Sequence, residues 1–144
     1  MENKGQASAE YLLLIVVILI IMATVTLPMV GSSVNSTMDI SRTSDTKNAV
    51  QTIANAVDLV YANGPGAKRT LNLYIPLNGM ILETNGTDLI MNVPLNSPIN
   101  GDTSKNVTAS INYNVNITNP NFDQGWYTIT VNWPVGDDAI TISH

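Results

Sequence analysis

Few side chains in this 144-residue sequence could do chemistry, and their placement narrows what that chemistry is. The one histidine, His144, is the final residue, where chains usually fray. From that one residue no His-based triad or cluster can be built, and with no cysteine present a thiol nucleophile, a thiolate metal site, a disulfide and a lipidated cysteine are all excluded. The serines lie in no G-x-S-x-G elbow, and no Walker or dinucleotide glycine pattern occurs. Asn119, Asn121 and Asp123 alternate as calcium-loop ligands do, but Gln124 replaces the glycine and Thr130 stands where the bidentate acid belongs. An Asn-Pro turn is the plainer reading there, and Asp137-Asp138 reads as a solvated tail pair. No catalytic residue, cofactor or metal ligand is expected, so the chain does not read as an enzyme.

The carboxylate that stands out is Glu10. After it no charged side chain appears until Asp39, and Tyr11 to Met22 is unbroken aromatic and aliphatic sequence. Leu12 to Val30 is 19 residues, roughly 28 Å of helix, close to the hydrocarbon thickness of a bilayer. A cleaved secretory signal fits poorly, because Lys4 in the leader MENKG is balanced by Glu2 and no A-x-A pattern follows the apolar run. The small residues come before the run instead, in KGQASAE, where a membrane-surface protease could cut and leave the helix on the mature chain. Glu10 has two readings. It is a helix-start acid held by the macrodipole and free N–H groups, or it is a registration point that needs a partner once buried in an assembly.

Lys4 and Gly5, followed by Gln6, Ser8, Glu10 and Tyr11 in a Q-x-S-x-E-Y pattern ahead of an apolar helix, resemble the archaeal type IV pilins with a class III signal peptide. The resemblance covers about the first thirty residues. It implies removal of residues 1–5 by a prepilin peptidase at the cytoplasmic face, with Gln6 as the new N-terminus. It also implies that the subunit is held in the cytoplasmic membrane before joining a homo-oligomeric helical filament at the cell surface, where the output is adhesion. The terminal amine of a neighbouring subunit is then the implied partner of Glu10. A single-pass membrane protein displaying a small β binding domain is the other reading of the same residues. An archaellin-like subunit ranks third, since archaellins usually lack the Q-x-S-x-E-Y pattern.

The elements that must carry these residues follow from periodicity. Thr24, Thr26 and Pro28 and the GSSVNST stretch soften the helix, and a kink or local melting is expected near residues 28–35. From about Ile40 a helical period returns in Val50, Ile53, Ala54, Val57 and Val60 or Tyr61, and ANGPGA at 62–67 stops it. The period then becomes two. Leu71, Leu73, Ile75 and Leu77 form a strand, and Asn78-Gly79 and Asn85-Gly86 suggest a meander of hairpins through MILET and TDLIMNV. A loop is expected from Pro94 to Lys105, then strands alternating Val107, Ala109, Ile111, Tyr113, Val115 and Ile117, and Tyr127, Ile129, Val131 and Trp133. The expected fold is α+β: a long hydrophobic N-terminal helix packed against a small C-terminal antiparallel β-sheet head. Residues 6–63 are the helix, with 6–37 as membrane and filament core and 38–63 amphipathic, and residues 64–144 are the head. An unbroken helix from Ser8 to Ala62 would run roughly 80 Å, which suits an assembly better than a compact domain.

Charged residues are 12% of the chain with net charge −5, so no basic, phosphate-tracking surface is available and nucleic acid is not expected as a partner. Four N-x-S/T sequons lie at Asn35, Asn85, Asn106 and Asn116, but 18 Asn and 25 Ser plus Thr give that number nearly by composition alone. Their positions are more informative than their count. Asn85 falls in a turn and Asn106 beside a loop, which makes them, with Asn116, the better candidates for N-glycosylation; Asn35 lies near the apolar helix. Surface filaments of the family named above are commonly N-glycosylated, which points the same way.

Overall fold

The structure, a computed structural model, describes the backbone from Asn3 to His144 and the side chains from Ser8 onward except that of Ile99. A single helix, α1, spans Asn3–Asn63, and the chain divides into two compact units, Met1–Thr37 and Met38–His144.

The first unit is helix alone. Its backbone stays helical through Pro28 and through residues 31–37, so the local melting expected there does not occur. Pro28 removes one helical N–H, but the polar side chains around it are used within the helix. Thr24 Oγ1 donates to Ile21 O, Thr26 Oγ1 to Met22 O, Ser33 Oγ to Met29 O and Thr37 Oγ1 to Ser33 O, all at 2.8–2.9 Å. Hydroxyls satisfied this way can enter an apolar medium at little cost.

The second unit is the head. Its share of α1 buries Ala49, Val50, Ile53, Ala54, Ala56, Val57 and Val60, while Asp45, Lys47, Asn48, Gln51 and Asp58 are exposed, as the helical period requires. The helix ends at Asn63, whose Nδ2 donates to Leu59 O at 2.7 Å, and Gly64 takes the left-handed φ of 83° that a C-terminal cap needs. Eight strands follow: β1 Lys68–Ile75, β2 Met80–Thr84, β3 Asp88–Ile99, β4 Asp102–Ser110, β5 Val115–Ile117, β6 Asn121–Phe122, β7 Gly125–Asn132 and β8 Ile140–Ser143. They form two four-stranded sheets, ordered β1-β7-β8-β5 and β4-β3-β2-β6. Every pairing is antiparallel except β5 with β8. Inward residues of both sheets, among them Leu73, Ile75, Leu82, Leu89, Met91, Ile129, Val131, Ile140 and Ile142, join the helix residues in one core. The α+β arrangement is therefore as the sequence indicates, but with two sheets where one is expected.

Four local expectations are corrected. Asn78-Gly79 does not close a hairpin: β1 pairs along its whole length with β7, and the turn carries the chain from one sheet to the other. The 94–105 segment is no loop. β3 and β4 extend through it to a tight turn at Asn100 and Gly101, both with positive φ (54° and 92°), the conformation that favours an Asn-Gly pair. The apolar alternation from Val107 to Ile117 is interrupted after Ser110, giving β4 and β5 in different sheets. The C-terminus does not fray: Ile140 and Ile142 are buried in β8, and the His144 ring lies 4.4 Å from the Phe122 ring centroid and 4.9 Å from that of Tyr127.

Candidate functional site

Two regions carry the residues singled out by sequence, and the structure adds a third. The first is the N-terminal helix surface. Lys4, Gly5 and Gln6 lie outside the residues whose side chains are described. Ser8, Glu10 and Tyr11 are on α1 and exposed, and from Tyr11 to Met22 every side chain is at least 42% exposed. Leaving so many large apolar side chains half in water would cost on the order of 15 kcal/mol, as much as a whole domain's stability. A bilayer or other apolar helices must therefore cover this surface. By length and composition α1 can cross a membrane, and membrane insertion is the simplest cover for the chain on its own.

The second region is the set of sequons. Asn35, Asn85, Asn106 and Asn116 are all exposed, on α1, in the β2–β3 turn, on β4 and on β5 respectively. Asn85 is the most engaged. Its Oδ1 accepts from Thr87 N and Asp88 N at 3.0 and 2.7 Å, and its Nδ2 donates to Asp88 Oδ2 at 3.4 Å. Asn106 Oδ1 accepts from Asn92 Nδ2 at 2.7 Å, which keeps the oxygen occupied and the amide nitrogen on the exposed face of β4. The calcium-like series is dispersed: Asn119 Nδ2 donates to His144 O, Asn121 pairs in β6 with Ile81, and Asp123 Oδ1 caps Gly79 N. Among the described residues no group of three or more His, Cys, Asp or Glu is placed to hold a metal.

The third region was not visible in the sequence. Asp39 closes the charge-free run, yet it is buried in the head, 5% exposed. Its Oδ1 accepts from Asn96 N at 2.9 Å and Asn96 Nδ2 at 3.0 Å, and its Oδ2 accepts from Ser97 N at 2.7 Å. These N–H groups are free because the β3–β4 register shifts between Pro94 and Ile99, leaving residues 95–98 without ladder partners. The carboxylate supplies the missing acceptor and ties the bulge to α1. No protein-family model, curated protein or solved structure matches the chain.

The same bonds set the acid response of the head. The Asn96 N–H, then the Ser97 N–H and the Arg42 charge, hold the Asp39 carboxyl below its ordinary value against the opposing effect of burial. Asp88 is lowered too, by the Ser110 hydroxyl first and then by Asn85 and Thr87. A carboxyl depressed in the folded state contributes stability that is complete above its unfolded pKa of about 3.9 and is lost as pH falls through the folded value. Thermal unfolding of the head should therefore be flat from pH 7 to about pH 5 and fall steeply on further acidification. Asp39→Asn should melt lower at pH 7 and lose less on acidification, and melting curves across this range by circular dichroism would show both.

Proposed function

We propose that the chain is the structural subunit of an extracellular archaeal type IV pilus-like filament, made as a membrane-held precursor, trimmed after Gly5 and assembled through its hydrophobic N-terminal helix for surface adhesion. The observation that carries this reading is the union of leader, helix and head on one short chain. A helix wholly apolar on every side follows the KGQASAEY leader, and a small head with its own closed core follows the helix. A single-pass protein displaying a small β domain would have the same helix and head, and it is the KGQASAEY leader that favours the filament. The leader supports a cut that leaves Gln6 at the end of an apolar helix, with Glu10 one turn further in. A bundle of such helices would cover the surface from Tyr11 to Val34 and place the heads, with Asn85, Asn106 and Asn116, on the outside.

The single-pass anchored protein remains the second reading, supported by the bilayer-length run from Leu12 to Val30. One experiment separates the two. Filaments sheared from cells and examined by N-terminal sequencing and mass spectrometry should yield a chain beginning at Gln6, or at its cyclised form. A chain retaining Met1 and found only in the membrane fraction would overturn the filament reading. The same masses would show which sequons carry glycans.

A further inference from the structure

The outer face of the β1–β7 ladder carries a site unrelated to the helix surface. Across this ladder Thr70, Asn72 and Tyr74 stand opposite Thr130, Thr128 and Trp126, on the side away from Leu73, Ile75, Ile129 and Val131. Trp126 is 76% exposed, and its indole lies 5.6 Å from the Tyr74 ring at an interplanar angle of 54°, so the two rings form an open corner. An indole exposed to this degree, with one edge against Tyr74, leaves a ring face open to stacking.

The groups beside the two rings are held by hydrogen bonds and are uncharged, and the nearest lining charge is the Asp45 carboxylate of α1, in the cleft shared with Asn72 and Tyr74. Gln124 Nε2 donates to the Tyr74 hydroxyl at 3.0 Å, and Gln124 N donates to Asn78 Oδ1 at 2.8 Å, which holds the amide beside the rings. Thr128 Oγ1 donates to Asn72 Oδ1 at 2.8 Å, which orients the Asn72 amide so that its NH2 is the free end. Asn72, Trp126, Tyr127 and Thr128 line an open cleft of about 380 Å³, and Asn72 also borders a second cleft of about 230 Å³ against Asn48 and Thr52 of α1.

We infer that this corner is a binding site for neutral hexopyranose units of a polysaccharide. The C–H face of a pyranose ring stacks on an indole, while its hydroxyls, each both donor and acceptor, match side-chain amides and hydroxyls that also offer both roles. An anionic lipid or nucleic acid would need a cluster of cations, and the outward face of this ladder carries one, Lys68 at the far end of β1 from Tyr74. A second copy of the chain is disfavoured for a different reason. A stable interface wants roughly 800 Å² per partner with an apolar centre, and here only the two rings are apolar within a polar strip. The inference goes beyond the filament reading and does not depend on it, because an unassembled subunit presents the same face.

The test uses the full chain in detergent micelles, titrated with glucose, mannose and galactose hexasaccharides while the indole N–H resonances are followed by NMR. At least one neutral hexasaccharide should shift the Trp126 resonance and leave that of Trp133 in place. Trp126→Ala should weaken binding at least about ten-fold, the loss of one good stacking contact, Asn72→Ala several-fold, and Trp126→Phe should restore part of the affinity. All three should melt as the wild type does, since both side chains are exposed. Three results would overturn the site: no response to any neutral hexasaccharide, Trp126→Ala binding as well as the wild type, or dextran sulfate binding in preference to neutral sugars. Loss of filaments by Trp126→Ala with no sugar response would assign the face to contacts between copies instead.

Discussion

On the proposed filament reading, Glu10→Ala should abolish filaments on the cell surface, or leave short irregular ones, with the chain still trimmed to begin at Gln6. The reasoning rests on where the charge sits. Glu10 is exposed at the start of the apolar run, about two turns into α1, which begins at Asn3; only trimming after Gly5, as proposed, would bring it close to the free N–H groups and macrodipole of a new helix start. Packed among other apolar helices, the same carboxylate loses its water. Unpaired, it would cost several kcal/mol, whereas an amine from a neighbour restores the balance only at the correct axial position. A subunit out of register would carry that penalty, so the acid selects register more than it adds affinity.

Removing it should therefore spare insertion, processing and folding of the head, and damage only order in the assembly. Electron microscopy of sheared fractions, with N-terminal sequencing of the membrane pool, reads both parts. Abundant wild-type filaments from Glu10→Ala would sink the registration role and leave the helix-start reading. The partner can be tested separately, since cyclisation of Gln6 removes the amine. If the filament chain carries a cyclised N-terminus, Glu10 must draw its donor from elsewhere.

What the sequence made legible followed the strength of its local signals. The head-facing stripe of α1 was readable because Val50, Ile53, Ala54, Val57 and Val60 hold a period of three and four, and all five are buried. β7 was readable from strict alternation over eight residues. β8 was not, because four residues with two isoleucines near a terminus carry too little pattern to separate from a tail. Pro94 and Pro98 read as loop markers, yet both lie in β3, Pro94 opposite Ser104 at the edge of the bulge and Pro98 within it, where no ladder partner is lost. Which strands pair was beyond local reading altogether. β1 finds β7 across more than fifty residues, past a turn signal that pointed to β2. Asp39 is the same kind of case: its acceptor role depends on N–H groups 57 and 58 residues away that only the bulge sets free.

Ile53→Ala should remove much of the head's stability and leave the N-terminal helix in the membrane. Ile53 is 0% exposed and sits mid-stripe on α1, among core residues drawn from both sheets. Truncation to alanine removes three carbons from a packed site and leaves a cavity that rigid strands cannot collapse to fill, at a cost of about 2–5 kcal/mol. For a head of this size that is a large part of the roughly 5–15 kcal/mol available and would lower the melting temperature by on the order of 10–20 °C. Ile53→Val, which removes one methylene, should cost only about 0.5–1.5 kcal/mol. Thermal unfolding of the detergent-solubilised chain measures the series. Membrane fractionation should show Ile53→Ala retained like the wild type, because the substitution leaves untouched the run from Leu12 to Val30, which is long and apolar enough to cross a membrane. On the proposed filament reading the yield of filaments should nevertheless fall, since a weakened head opens more often and exposes β-strand edges when it does. On the filament reading, Glu10→Ala and Ile53→Ala would then both lower filament yield and differ in every earlier step, the first with a stable head and a failed register, the second with an intact helix and a weakened head.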